Sequence, residues 1–171
     1  GVKAILTGNL VKYSEEKQSI KHTIHKGWYQ RSVKKFNEET EKHYYEKVYD
    51  KIRYDQYKGS NKVTIGFQFQ LISSETGSIL ISDIINLTEK DNMNYATANK
   101  NHKNIYPGSW KWEKKEHHSD EVYTSFVQKN RLMNLFNASK KLKSIDELST
   151  EAYKEIAKEA TQQINKYNPE Q

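Results

Sequence analysis

Asn61–Leu87, NKVTIGFQFQLISSETGSILISDIINL, is the stretch whose reading decides the fold. Val63, Ile65, Phe67, Phe69 and Leu71 are apolar and alternate with Thr64, Gly66, Gln68 and Gln70, the period-2 pattern of a strand with one buried face. A second run, Ile79–Leu87, is rich in Ile and alternates less cleanly. Between them, Ser73-Ser74-Glu75-Thr76-Gly77 ends in the one residue type that takes a positive φ without strain, as a short hairpin connection requires. The stretch therefore predicts a β-hairpin with an apolar face. A lone hairpin is marginal in water, so the rest of the chain must supply a cover.

Working outward, Val2–Tyr13 reads as a strand that pairs with this hairpin, with Gly8 marking a bulge or a close approach of another backbone. Ser14–Ser32 has no periodicity and is expected to be an irregular excursion. Phe36, Tyr45, Val48, Tyr49 and Ile52 recur at helical intervals behind Asn37-Glu38-Glu39, predicting a helix over Asn37–Ile52; the competing reading is a strand over Tyr44–Tyr57. Thr88–Asn104 reads as a polar connection, and Pro107-Gly108 as a turn. Ser119-Asp120-Glu121 opens a predicted helix to Asn137. Ser144-Ile145-Asp146-Glu147 has the form of a capping box opening a short turn. A last helix, Thr150–Tyr167, presents Ala152, Ile156, Ala160 and Ile164 on one stripe and ends at Pro169. The expectation is a single α/β (α+β) domain over residues 1–171. Its sheet contains antiparallel strands, is built around the long hairpin and covered by C-terminal helices, and bears polar insertions at 14–59 and 88–112.

Composition bounds the chemistry. With 171 residues, 35% hydrophobic and mean hydropathy −1.01, the chain can build a core but carries an unusually polar surface. There is no cysteine, which excludes disulfides, thiolate catalysis and Cys-based metal sites. No run is apolar enough to span a bilayer as a helix. A Gly-x-Ser-x-Gly elbow and a glycine-rich phosphate loop are both missing, so neither an enzyme nor a cofactor is indicated. His22 and His25 have HxxH spacing, but they share a face only on a helix, and a structural metal needs two further ligands. His117-His118 beside Asp120 and Glu121 coincides with the expected helix start, where acids are explained by the macrodipole.

Three Trp and twelve Tyr are the compositional oddity. Trp28, Tyr29, Tyr106, Trp110 and Trp112 fall in segments read as loops, and aromatics among Lys and Asn are typical of a recognition surface. The structural alternative is that Trp110 and Trp112 cap the open face of the hairpin. The net charge of +6 favours anionic partners, although most basic runs are interrupted by acids, as on a solvated face. The reading these residues favour is a non-enzymatic module that contacts a protein partner or self-associates through these aromatics; the alternative is a basic surface for an anionic envelope polymer or for nucleic acid, which is the less expected partner.

The run AILTGNLVKY, then KVTIGFQFQLISSETGSILISD, then a C-terminal amphipathic helix, resembles the CsgG-like family of bacterial envelope lipoproteins. Gly8 and Thr76-Gly77 hold the matching positions, whereas Ser78 stands where that family has Glu. The resemblance implies the C-terminal portion of a three-layer α/β domain, whose first elements would precede Gly1. It also implies a periplasm-facing place in the cell envelope and an assembly role without catalysis. The family's lipid-bearing Cys is not in this sequence, and the insertions at 14–59 and 88–104 are too charged to face lipid as a pore.

Overall fold

The computed structural model describes residues 3–167. Strands β1 (Ala4–Asn37), β2 (Lys42–Ser73) and β3 (Ile79–Thr97) are followed by β4 (Ile105–Ser109), β5 (Glu121–Val122), α1 (Phe126–Asn137) and α2 (Ile145–Lys166). The protein is mixed α/β, with one five-stranded sheet in the order β3-β2-β1-β4-β5. Its packing gathers two compact units, one from residues 3–19, 60–92 and 141–167, the other from Ile20–Gly59 and Met93–Lys140. β1, β2 and β3 each give residues to both.

In the first unit the hairpin expected over 61–87 is present. Gly77 has φ +70°, the Gly77 amide donates to the Ser73 carbonyl (3.0 Å), and the Ser73 amide to that of Ser78 (2.8 Å). Val63, Ile65 and Phe69 of β2 and Ile85 of β3 are buried against Ile145, Leu148, Ala152, Ile156 and Ala160 of α2. Ala at 152 and 160 lets the helix backbone lie close to the sheet, while Leu148 and Ile156 fill the space between strand side chains. Both arms of the capping box are made: the Glu147 amide donates to Ser144 Oγ (3.1 Å) and the Ser144 amide to Glu147 Oε2 (2.8 Å). The box therefore opens the whole of α2 rather than a short turn, and Thr150, read as a helix start, is interior. The last expected element ends at Pro169, outside the described residues. Gly8 faces a ring rather than a backbone, since a Cβ there would collide with the end of the Phe67 side chain.

The helix expected over Asn37–Ile52 is a hairpin turn and a strand, as the competing reading had it. Asn37 Oδ1 accepts the amides of Glu39 (2.9 Å) and Thr40 (3.0 Å), the local bonding that also caps helices, and Glu41 takes φ 52° before β2 begins. The irregular excursion expected over Ser14–Ser32 is the middle of β1. Pairs across the strands hold it: Arg31 Nε on Asp50 Oδ2 (2.6 Å), His22 Nε2 with Asp55 Oδ1 (2.6 Å), and the His25 and Tyr54 rings at 5.3 Å. β3 likewise runs on to Thr97 through the expected polar connection.

In the second unit α1 packs Leu132 against Tyr54, Ala96 and Ile105, with Leu135 and Phe136 beside them. Of the two helices expected to cover the hairpin, α2 alone packs on its core, and α1 starts at Phe126 rather than near Ser119. Replacing Leu148 by Ala removes a side chain only 1% exposed and is expected to lower stability by about 3 kcal/mol, whereas Ser144→Ala, which loses the cap, costs about 1 kcal/mol. Chemical denaturation of the full chain measures both; equal losses would contradict this packing.

Candidate functional site

The second unit concentrates the chain's unusual chemistry. It holds all three Trp, all six His and nine of the twelve Tyr. It also holds 18 Lys and Arg against 10 Asp and Glu, whereas the described part of the first unit has 10 against 11.

β1 and β4 pair antiparallel with Gly27 opposite Pro107, Trp28 opposite Tyr106 and Tyr29 opposite Ile105. Trp28 is 8% exposed, and its Nε1 donates to the Glu121 carbonyl (2.9 Å). Gly108 makes room for that ring, because a Cβ there would meet the Glu121 carbonyl and lie 2.6 Å from Trp28 Nε1. Trp110 is 4% exposed and donates from Nε1 to the Gly27 carbonyl (3.2 Å). Lys26 Nζ lies 4.6 Å from the Trp110 ring centre and donates to the Trp110 carbonyl (2.7 Å), with the Arg53 guanidinium 5.6 Å from the same ring. Cations over an indole face gain from the ring quadrupole, more so when partly desolvated.

Beside these rings, Lys51 and Asp120 pin the segment between β4 and β5. Lys51 Nζ binds Asp120 Oδ2 (2.6 Å) and donates to the carbonyls of Trp112 (2.8 Å) and Lys115 (2.7 Å), which engages all three of its protons. Asp120 also accepts the amides of Lys111 (2.9 Å) and His117 (3.0 Å). The Lys51 hydrogen bond, opposed by burial and helped by the two amides, lowers the Asp120 carboxyl to about 2. The acid read as a helix start is thus a loop anchor, and Lys51, read as the end of a helix, is its partner on β2.

The five aromatics singled out from sequence take different places. Trp28 (β1) and Tyr106 (β4) lie in strands rather than loops. Tyr29, also in β1, packs against the Leu132 cluster, with Lys100 Nζ 5.9 Å from its ring centre. Tyr106 receives a hydrogen bond from Lys129 Nζ (2.7 Å) and meets the Tyr49 ring edge-on at 5.6 Å. Trp28 and Trp110 are brought together as packing residues. Trp112 is 48% exposed on the pinned segment, edge-on to His117 and flanked by Lys111, Lys114 and Lys115, for which no ion pair forms among the described residues. Trp112 lines an open pocket of about 420 Å³ with Lys114 and Lys115, and an open cleft of about 440 Å³ is lined by Trp28, Tyr49, Lys51, Lys114, His117 and Asp120 among others.

His22 and His25 lie three apart on β1, which puts their side chains on opposite faces and rules out a shared ion. His22 stacks on Tyr57 (4.8 Å), which stacks on Tyr95 (5.0 Å), a ladder across β1, β2 and β3; His25 stacks on Tyr54 (5.3 Å). The ladder rings spend their faces on one another. No group of three or more His, Asp or Glu among the described residues could hold a metal ion. Sequence reasoning put Asp120 at a helix start, Lys51 near a helix end and Gly108 in a turn with Pro107, whereas Pro107 and Gly108 lie inside β4, paired with Gly27 of β1 and Val122 of β5, and the link between Lys51 and Asp120 had no local signal.

Gly108→Ala is expected to displace Trp28 and destabilise the protein by about 2 kcal/mol, seen as a red shift in Trp emission. Asp120→Asn keeps the shape but removes the carboxylate charge that Lys51 answers, and is expected to speed proteolysis within residues 111–118. Because the folded carboxyl lies near 2, below its usual 3.8, its contribution is complete above about pH 5 and is lost as pH falls toward 2; loop protection that is flat down to pH 2 would contradict this. Comparison with protein-family models, with curated proteins and with solved structures finds no match to this chain, so its function is read from these residues.

Proposed function

We propose that the protein is a non-enzymatic binding module whose second unit takes an anionic polymer. The observation that carries this reading is the partition of charge: a surplus of eight basic side chains sits on the aromatic-rich unit and none on the other. Net charge dispersed over a whole chain says little, but a surplus confined to one unit gives a local positive potential that attracts polyanions and raises their on-rate. The pinned segment supports it further. Lys51–Asp120 holds the backbone of residues 111–118, so Lys111, Lys114, Lys115 and Trp112 are presented from a restrained loop and lose little freedom on binding.

A protein partner anchored on Trp112 is the second reading, favoured by the exposure of that one indole in an open pocket with Lys114 and Lys115. Kinship with CsgG-like envelope lipoproteins, with their three-layer domain, would place the module facing the periplasm, where anionic polymers and assembly partners both occur; the binding proposal stands without it.

The test is binding of the full chain to fluorescently labelled oligo-dT and to polyphosphate as salt rises from 50 to 200 mM. The proposal expects affinity to fall about tenfold or more, and Lys114→Gln with Lys115→Gln to flatten the slope by about 0.7 per lysine. No binding at 50 mM, or a flat salt response, would sink it. Binding of a protein partner that is lost in Trp112→Ala and indifferent to salt would favour the second reading.

A further inference from the structure

The first unit carries an edge that its sequence leaves unprotected. β2 lies on one side of β1, while on the other β4 joins β1 at Gly27–Tyr29. Among the described residues no other strand pairs with residues 4–19 of β1 on that side, so they form a sheet edge with a row of backbone donors and acceptors facing outward. Proteins usually guard such edges with charge. The opposite edge does so, for β3 carries Asp83, Glu89, Lys90 and Asp91 along the same unit. β1 carries its charges later, at Lys12, Glu15, Glu16 and Lys17, and leaves Ala4–Val11, AILTGNLV, as eight residues without a charge in a chain of which 29% is charged. Ile5, Leu6, Leu10 and Val11 are each about half exposed. Charges stand at the two ends of this run, on Lys3 and Lys12.

The run is also self-complementary. Ile5-Leu6-Thr7-Gly8-Asn9-Leu10-Val11 has nearly the same character read in either direction about Gly8. Two copies set antiparallel with a two-fold axis at Gly8 would oppose Ile5 to Val11, Leu6 to Leu10 and Thr7 to Asn9. Lys12 would face Ala4, and Lys3 would face Tyr13, so no like charges meet. The axis falls on the residue without a side chain, over which the Phe67 ring already lies. Matching a patch to itself in this way is what a two-fold interface demands.

We propose that β1 pairs with β1 of a second copy of this chain over residues 4–12, continuing the sheet of one first unit into the other through backbone hydrogen bonds. Four half-exposed aliphatic side chains on each copy become cross-strand pairs. The main-chain ladder supplies affinity and the apolar pairs about Gly8 supply register. The surface lies in the first unit, so it leaves the polyanion reading of the second unit untouched.

Sedimentation equilibrium of the full chain at tens of micromolar tests the proposal. The expected mass is twice 20.2 kDa, and Leu10→Lys, which places two lysines near the axis, is expected to return it to 20.2 kDa while the chain still melts cooperatively, at a temperature that no longer depends on protein concentration. A wild-type chain that sediments at 20.2 kDa, or a dimer that survives Leu10→Lys, overturns it. Should Leu10→Lys fail to fold, the absence of native cysteine gives a second route. Thr7→Cys protomers mixed with Asn9→Cys protomers are expected to form disulfide-linked heterodimers under mild oxidation in excess of either homodimer; equal yields would overturn the register.

Discussion

The main-chain pairing of three unusually long strands is the constraint on which the rest of this protein depends. β1, β2 and β3 run for 34, 32 and 19 residues, where strands of five or six are usual. A chain with 35% hydrophobic residues cannot bury both faces of such strands, and it does not. Apolar burial centres on two clusters, one under α2 and one under α1, with the buried indoles of Trp28 and Trp110 apart from both. Elsewhere the strands are held by backbone hydrogen bonds and cross-strand pairs such as Arg31–Asp50 and Lys62–Glu16. Each exposed ion pair is worth little alone, so their part lies in register as much as in stability.

The two clusters solve the same problem with different side chains. Under α2 the contact is aliphatic and close, with Ala152 and Ala160 admitting the helix to Val63, Ile65 and Phe69. Under α1 the sheet side is aromatic, with Tyr54 and Tyr29 meeting Leu132 and Phe136. Burial raises the Tyr54 hydroxyl above its ordinary value, as expected when the phenolate would have to leave water. The indoles of Trp28 and Trp110 add a third packing group, with Lys26, Lys51 and Arg53 among their neighbours. Much of the basic and aromatic character of this unit is consumed in holding it together. Of the three indoles, Trp112 alone is left exposed, beside Lys111, Lys114 and Lys115.

Some of this was legible from particular residues. Val63 to Leu71 could be placed because one face of that segment is buried, and burial leaves a period in the sequence. Ser144 and Glu147 could be placed because a capping box is a local device whose partners lie three residues apart. Residues 14–32 left no such trace. Most side chains there are exposed on both faces of β1, so no alternation marks the strand. Asn37 misled for a related reason: the same side-chain acceptor that starts a helix also closes the turn into β2.

By itself the sequence determined the hairpin over 61–87, the turn at Gly77, the apolar stripe of α2 and the absence of thiol chemistry, because each depends on residues close together in the chain or on composition. Tertiary structure alone decided that Trp28 and Trp110 are packing residues, that Asp120 answers Lys51, that Gly108 yields its space to an indole, and that the surplus of charge lies on one unit. Those outcomes join residues far apart in the chain. Cross-strand pairing sets such contacts, and no local propensity or spacing encodes which distant residue a long strand will meet.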